Sequence, residues 1–277
     1  MRRTLTCGPF SFALDRALVM GIVNITADSF SDGGQFLFAD AAFAHAMKLH
    51  DEGADLVDVG GESTRPGAAE VPEAEELVRV LPVVERLARE GIAVSVDTQK
   101  PAVMRRAIAA GAAMVNDVNA FRAPGAVSAV AESGAGLVVM HMQGSPSTMQ
   151  ADPRYGDVVT EVGDFLLARA KELEAAGVAK GRIVIDPGFG FGKTLEHNKE
   201  LFRGLRLLAG SGYPVLAGLS RKSTLGTITG RAVGDRLAAS VASAMLAVQN
   251  GAAIVRVHDV RETIDALKVL AALGEAS

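Results

Sequence analysis

Polar side chains close almost every short apolar run of this chain. Asn24 follows Leu18 to Val23, Asp97 follows Ile92 to Val96, and Asn116 and Asp117 follow Ala113 to Val115. His141 follows Leu137 to Met140, and Asp186 follows Ile183 to Ile185. Ser220-Arg221-Lys222-Ser223 comes after Val215 to Leu219, and Arg256 and His258 flank Val257. Each residue has an ordinary reading. Asp97 and Asp186 can cap the helices that follow, Asn116 can form a turn, Arg221 and Lys222 can be solvated loop charges, and His258 can be a satisfied buried imidazole. Brought to one apolar place, however, two carboxylates, an amide and a lysine would be costly unless they satisfied one another or a ligand. A flat heterocycle with a guanidine-like edge would satisfy them. Carboxylates accept from its ring N–H and exocyclic NH2, while Asn and Lys donate to its carbonyl and ring nitrogens. Asn24, Arg256 and His258 suit a phosphate anion, and the neutral oxygen of Asn24 can ligate a Mg2+ that phosphate oxygens share.

The run after Asp186, Pro187-Gly188-Phe189-Gly190-Phe191-Gly192-Lys193-Thr194, suggests a competing chemistry, that of a nucleotide-binding loop. A Walker loop needs four residues between its first glycine and the Gly-Lys-Ser/Thr, so that successive N–H groups converge on a phosphate. Only three lie between Gly188 and Gly192, and the position that would restore the spacing is Pro187, which has no N–H. An ATPase is therefore the weaker reading, and Lys193 reads as a surface or structural charge.

What must position these groups is a repeated strand–helix unit. The apolar runs above, with Leu56 to Val59 and Ile254 to Val257, are near-continuous, as strands buried on both faces are. Between them lie stretches with helical spacing, such as Val158, Val162, Phe165, Leu166, Ala170 and Leu173, or Val260, Ile264, Leu267 and Ala271. Gly53, Gly91, Gly111, Gly134, Gly177 and Gly251 fall between a helical stretch and the next strand, where a helix end needs a left-handed residue. Pro82 lies inside the helical segment Glu73 to Arg89 and predicts a kink or two pieces. About eight βα units, with no Gly-x-Gly-x-x-Gly after the first strand, favour an α/β fold of the (β/α)8 TIM-barrel type over an open doubly wound sheet. Thr4 to Asp15 suggests a short N-terminal hairpin, and residues 1–277 read as a single domain. In such a barrel the working face is the C-terminal end of the strands, where the polar groups stand.

Composition narrows the partners. With 49% hydrophobic residues but 5% aromatics and no Trp, the core must be aliphatic. A net charge of −4 argues against nucleic acid as a partner and favours small molecules. The single cysteine, Cys7, excludes an internal disulfide and a cysteine-rich metal site. The N-terminal residues are too mixed for a signal core, and Ala17 to Val23 is too short to span a membrane. A cytoplasmic protein with no membrane partner is expected.

Pterins carry the guanidine-like edge described above, and several motifs in order resemble those of dihydropteroate synthase. They are Asn24 to Gly34, Asp58 to Gly67, Val96-Asp97-Thr98, Asn116-Asp117, Asp186 to Lys193, Gly218 to Ser223 and Val255 to Val260. The likeness runs from about Met20 to Val260. One departure is Ala27, where the family usually has proline. The resemblance implies condensation of 6-hydroxymethyl-7,8-dihydropterin diphosphate with p-aminobenzoate to 7,8-dihydropteroate and pyrophosphate, with Mg2+ as cofactor. It implies that Asp97, Asn116, Met140, Asp186 and Lys222 hold the pterin, and that Asn24, Thr64, Arg65, Arg256 and His258 bind the diphosphate, Asn24 also as metal ligand. Phe30, Arg65, Pro66, Phe191, Lys222 and Ser223 would flank p-aminobenzoate. Asp97, Asp186, Lys222 and Asp32 would be the catalytic set, with the Asp32 loop and the Gly60 to Gly67 loop closing over the site. A homodimer through the later helices is also implied, Leu237 to Val248 being rich in Ala. The alternative is a non-catalytic or corrinoid-linked pterin binder, which would not need Ser220 to Ser223 or the Phe30/Asp32 loop.

Overall fold

The structure, a computed structural model, describes residues 3–25, 35–63 and 67–274. The apolar runs become eight parallel strands: β3 (Leu18–Asn24), β4 (Leu56–Gly60), β5 (Val94–Asp97), β6 (Met114–Asp117), β7 (Gly136–Met140), β8 (Ile183–Asp186), β9 (Leu216–Ala217) and β10 (Ile254–Val257). Their order is β8-β7-β6-β5-β4-β3-β10-β9. A parallel bridge between Ile185 and Val215, with the Ile185 N–H donating to the Pro214 carbonyl at 3.0 Å, joins the two end strands and closes the barrel. The expected (β/α)8 architecture is therefore present. Most strands extend to include the polar residue that follows each apolar run, so Asn24, Asp97 and Asp186 are presented by sheet rather than by loop.

Alternation along the strands decides what each side chain meets. Outward residues pack under helices. Val57, Val59, Val94 and Val96 lie with Val80, Val83 and Leu87 of α2 (Glu73–Arg89), and Val139, Ile183 and Ile185 with Val162, Leu166 and Ala170 of α5 (Val158–Ala175). Inward residues at the N-terminal ends, among them Leu18, Leu56, Met114, Val138, Val184, Leu216 and Ile254, form a separate apolar cluster. The predicted hairpin, β1 (Thr4–Cys7) paired antiparallel with β2 (Phe10–Ala13), seals that cluster from below with fully buried Leu5 and Cys7. Its fit is close: the Gly8 N–H donates to the Gly134 carbonyl at 2.9 Å, and a Cβ on Gly136 would stand 2.6 Å from the Cys7 sulfur.

The remaining helices are α1 (Gln35–Asp51), α3 (Pro101–Ala109), α4 (Ala126–Val130), α6 (Leu195–Arg203), α7 (Leu205–Ala209), α8 (Ser223–Thr229), α9 (Leu237–Gln249) and α10 (Val260–Leu273). The six glycines placed before strands all have positive φ, from 74° to 105°. Pro82 does not split α2. The carbonyl deprived of its N–H partner is that of Val78, whose residue is 47% exposed, so water can take the place of the missing donor. Among the described residues no helix is long and apolar enough to cross a membrane.

Candidate active site

The strand register carries the site. Asn24, Gly60, Asp97 and Asn116 are neighbours across β3, β4, β5 and β6, and Met140 pairs with Asp186 across β7 and β8. Asp58 lies two residues before Gly60, so the same alternation points it into the barrel. Above the apolar floor these inward groups make a polar layer. The Arg256 guanidinium donates through Nε to Asp58 Oδ2 at 2.6 Å and through a terminal nitrogen to Asp97 Oδ2 at 2.9 Å. Asn116 Nδ2 donates to the same Asp58 oxygen at 3.0 Å, which fixes its amide orientation and leaves Oδ1 as the free acceptor. Asp58 Oδ1 and Asn116 Oδ1 are both buried without a partner among the described residues. Loss of water drives the Asp97 carboxyl up to about 7, with Arg256 opposing and Asp58 adding to the rise.

On the other side of the mouth, Asp186 is 6% exposed and accepts the Gly188 N–H at 2.7 Å. Burial raises its carboxyl, against the pull of Lys222. Burial also lowers the Lys222 ammonium to about 8, with Asp186 opposing. Lys222 donates to the Phe189 carbonyl, and its nitrogen stands 4.6 Å over the Phe191 ring. That ring packs against buried Val118, Met140 and Met142, giving the mouth one apolar wall. Lys222 is the N-cap of α8, which begins at Ser223. The turn before it is held by Arg221, a non-glycine residue at φ +58°. The Arg221 N–H donates to Ser240 Oγ at 2.9 Å, and its side chain pairs with Asp259. Ser220 Oγ and His258 Nδ1 are 3.0 Å apart.

The structure thus gathers Asn24, Asp97, Asn116, Met140, Asp186, Lys222, Phe191, Ser223, Arg256 and His258 around one barrel mouth. Arg256, expected on the diphosphate, is already engaged by carboxylates of the heterocycle side. Phe30, Asp32, Thr64, Arg65 and Pro66, together with Ala27, lie outside the described residues. Lys193 is not a surface charge: it is 3% exposed and structural. Two features had not been anticipated. In the sequence Asp58 marks only the start of a resembling motif; it sits within an apolar run rather than after it, and period-two counting back from Gly60 shows that it points inward. Lys100 bridges Glu62 and Glu76, both at 2.6 Å, while Glu62 also accepts the Val71 N–H at 2.9 Å. No local motif joins residues that far apart.

Among the described residues no cluster of three or more His, Cys, Asp or Glu side chains is placed to hold a metal. Asn24 is exposed at the end of β3, and a Cβ on Gly60 would stand 3.9 Å from Asn24 Oδ1 and 3.5 Å from Asp97 Cβ. One neutral oxygen beside the carboxylate layer would fit a Mg2+ whose remaining ligands would have to come from substrate oxygens and water.

Over residues 20–258 the chain matches the family of pterin binding enzymes. It is 50% identical to the dihydropteroate synthase of Neisseria meningitidis serogroup B, covering 99% of this chain and 98% of that protein. It is 47% identical to that of Escherichia coli K12, with 95% and 93% covered. The Xanthomonas albilineans dihydropteroate synthase solved with 4-aminobenzoic acid superposes with a TM-score of 0.94 at 52% identity over 100% of both chains. The Burkholderia cenocepacia dihydropteroate synthase complexed with 7,8-dihydropteroate gives 0.90 at 52% identity, covering 98% of this chain and 96% of that one.

Proposed function

The chain belongs to the pterin-binding enzyme family, and from that premise we propose how its barrel mouth joins 6-hydroxymethyl-7,8-dihydropterin diphosphate to p-aminobenzoate. It is a transferase of dihydropteroate synthesis, a step toward folate. The observation that carries the assignment of the heterocycle is the pair of unpartnered buried acceptors, Asp58 Oδ1 and Asn116 Oδ1, beside Asp97 and Asp186. An acceptor-rich pocket requires a donor-rich guest, and the ring N–H and exocyclic NH2 of a pterin supply those donors. Lys222 then serves the ring carbonyl or nitrogen, and Met140 and Phe191 enclose the ring plane.

The diphosphate lies toward Asn24, Arg256 and His258. The five N–H donors of Arg256 allow it to keep Asp58 and Asp97 while reaching a phosphate oxygen. Thr64 and Arg65 are assigned to the same anion by likeness to the family. Mg2+, held by Asn24 and phosphate oxygens, would supply charge neutralisation for the leaving group. In the reaction the bond between the pterin methylene carbon and the diphosphate oxygen breaks, with its electron pair leaving on oxygen. The positive charge that spreads into the pterin is stabilised by Asp97 and Asp186 in a water-poor site, with Asp32 assigned beside them. The lone pair of the arylamine nitrogen forms the new C–N bond, and that nitrogen then gives up a proton to pyrophosphate or water. Lys222, Ser223 and Phe191 flank the arylamine, and Phe30, Arg65 and Pro66 complete its pocket. The functional unit is a homodimer that pairs through α9 and α10.

The assay is pyrophosphate release with the pterin diphosphate, p-aminobenzoate and Mg2+ supplied together. Release that requires both organic substrates is expected. No release with all three present sinks the reading, and ATP turnover would revive the nucleotide-binding alternative.

A further inference from the structure

Lys193, the lysine of the glycine-rich run, has no part in the chemistry above. Its ammonium is nevertheless caged by acceptors: the Gly188 carbonyl, the Phe191 carbonyl and His141 Nδ1, each at 3.0 Å, and the His141 carbonyl at 3.5 Å. Burial lowers this lysine to about 7, and burial with the adjacent cation lowers His141 to about 3. The imidazole is therefore neutral and accepts at Nδ1. The loop after β8 lies backbone against backbone on the segment after β7. Gly188 has φ +66°, and a Cβ there would fall 2.0 Å from the His141 carbonyl oxygen. Gly192 has φ +63°, and a Cβ there would fall 2.6 Å from the Gln143 carbonyl oxygen.

Other side chains finish the clamp. Asn198 Oδ1 accepts the Gly190 N–H at 2.8 Å, and the Tyr155 hydroxyl donates to the Gly192 carbonyl at 2.8 Å. With the Gly188 and Phe191 carbonyls turned inward to Lys193, the loop offers two groups to the mouth: the Phe189 carbonyl, which accepts from Lys222, and the Phe191 ring beneath the same ammonium. An apolar residue at 193 would take the lysine donor from the Phe191 carbonyl and leave the Gly188 carbonyl with only the Phe191 N–H, at 3.1 Å. Asp97 and Asn116, in contrast, are set by strand register, and Asp186, placed by β8, takes the Gly188 N–H from this loop.

The geometry points to Lys193 as a positioning residue for the arylamine half of the reaction, holding the loop after β8 against His141 so that Phe189 and Phe191 orient Lys222. This inference rests on the reading that Phe191 and Lys222 flank p-aminobenzoate. The test is steady-state pyrophosphate release by Lys193→Met, varying each substrate in turn, with thermal melting alongside. The KM for p-aminobenzoate is expected to rise about tenfold, the scale of one lost charge-assisted hydrogen bond, while the KM for the pterin diphosphate, which Lys222 also serves but which Asp97, Asn116 and Asp186 continue to hold, rises by a smaller factor. Two unchanged KM values, or two that rise equally beside a lowered melting temperature, overturn it.

If Lys193→Met does not fold, His141 carries the same test. His141→Asn places an amide oxygen near the position of Nδ1 and is expected to keep the parent ratio of the two KM values, whereas His141→Leu is expected to shift it toward arylamine loss. Equal behaviour of the two variants overturns the proposal. A parent chain that releases no pyrophosphate removes the functional reading itself, and the inference falls with it.

Discussion

Arg256 stands between Asp58 and Asp97, yet one cation does not balance the carboxylates around it. Asp97 is pushed up to about 7 by desolvation, and Lys222 is pulled down to about 8 by the same cause. Recognition of the pterin requires an ionised Asp97 and a protonated Lys222, so kcat/KM for the pterin diphosphate should be bell-shaped, falling below about 7 and above about 8. The signs for stability follow from linkage. Asp97 is raised from its ordinary 3.8, so its contribution is present at acid pH and is lost as pH rises through about 7. Lys222 is lowered from 10.5, so its contribution is present in alkali and is lost as pH falls through about 8. Between those values the empty pocket carries both costs. A pterin that donates to Asp97 and accepts from Lys222 should therefore raise the melting temperature more near pH 7.5 than near pH 5.5. Equal stabilisation at both pH values, with a flat rate profile, would contradict this account. Most of these residues were legible because they end apolar runs. Asp58 was not, since a carboxylate inside such a run looks like an interruption until inward alternation is counted from Gly60.

At the scale of elements, the strands were legible because parallel strands covered on both sides must be continuously apolar. Their ends were less so. Asp97 and Asp186 read equally well as helix caps, and the sheet register that makes them strand residues is a tertiary fact. Of the kink or two pieces expected at Pro82, the two pieces are not found, for a physical reason: the lost hydrogen bond falls on the exposed side of α2, where water can replace it. The loop after β4 shows how distant elements fix one another. Lys100, at the N-cap of α3, joins Glu76 of α2 to Glu62, and Glu62 also holds the Val71 N–H. Glu76 is fully buried and the other two side chains are nearly so. Lys100→Met strands two carboxylates in that setting and should cost roughly 3 kcal/mol, as the removal of one member of a buried ion pair does. Urea unfolding gives the measurement, and adding Glu76→Leu to Lys100→Met should recover part of the loss. A cost of only a few tenths of a kcal/mol would mean that water already screens the network.

The whole molecule is polar along the barrel axis, and that polarity could be read from the chain: Gly, Ala and Pro precede the strands while chemistry follows them. The seal at the closed end could not be foreseen in the same way, because Leu5 and Cys7 gain their meaning only against inward residues gathered from several strands. Among the described residues a second, apolar surface stands exposed. No charged residue occurs in α9 from Leu237 to Gln249, although Leu237 is 42% and Leu246 45% exposed. Beside it on α10, Val269 is 54% exposed and Leu273 83%. A surface helix without charge, packed next to another with exposed aliphatic residues, is poorly suited to water and well suited to a copy of itself. At micromolar concentration the chain should sediment at twice its 28.7 kDa. Leu246→Glu would place a charge on one flank of α9 and should shift the equilibrium toward monomer while leaving intact the barrel mouth, which α9 supports from its other end through Ser240. A parent that sediments as a monomer would dispose of the dimer; a Leu246→Glu variant that stays fully dimeric would move the interface to another face.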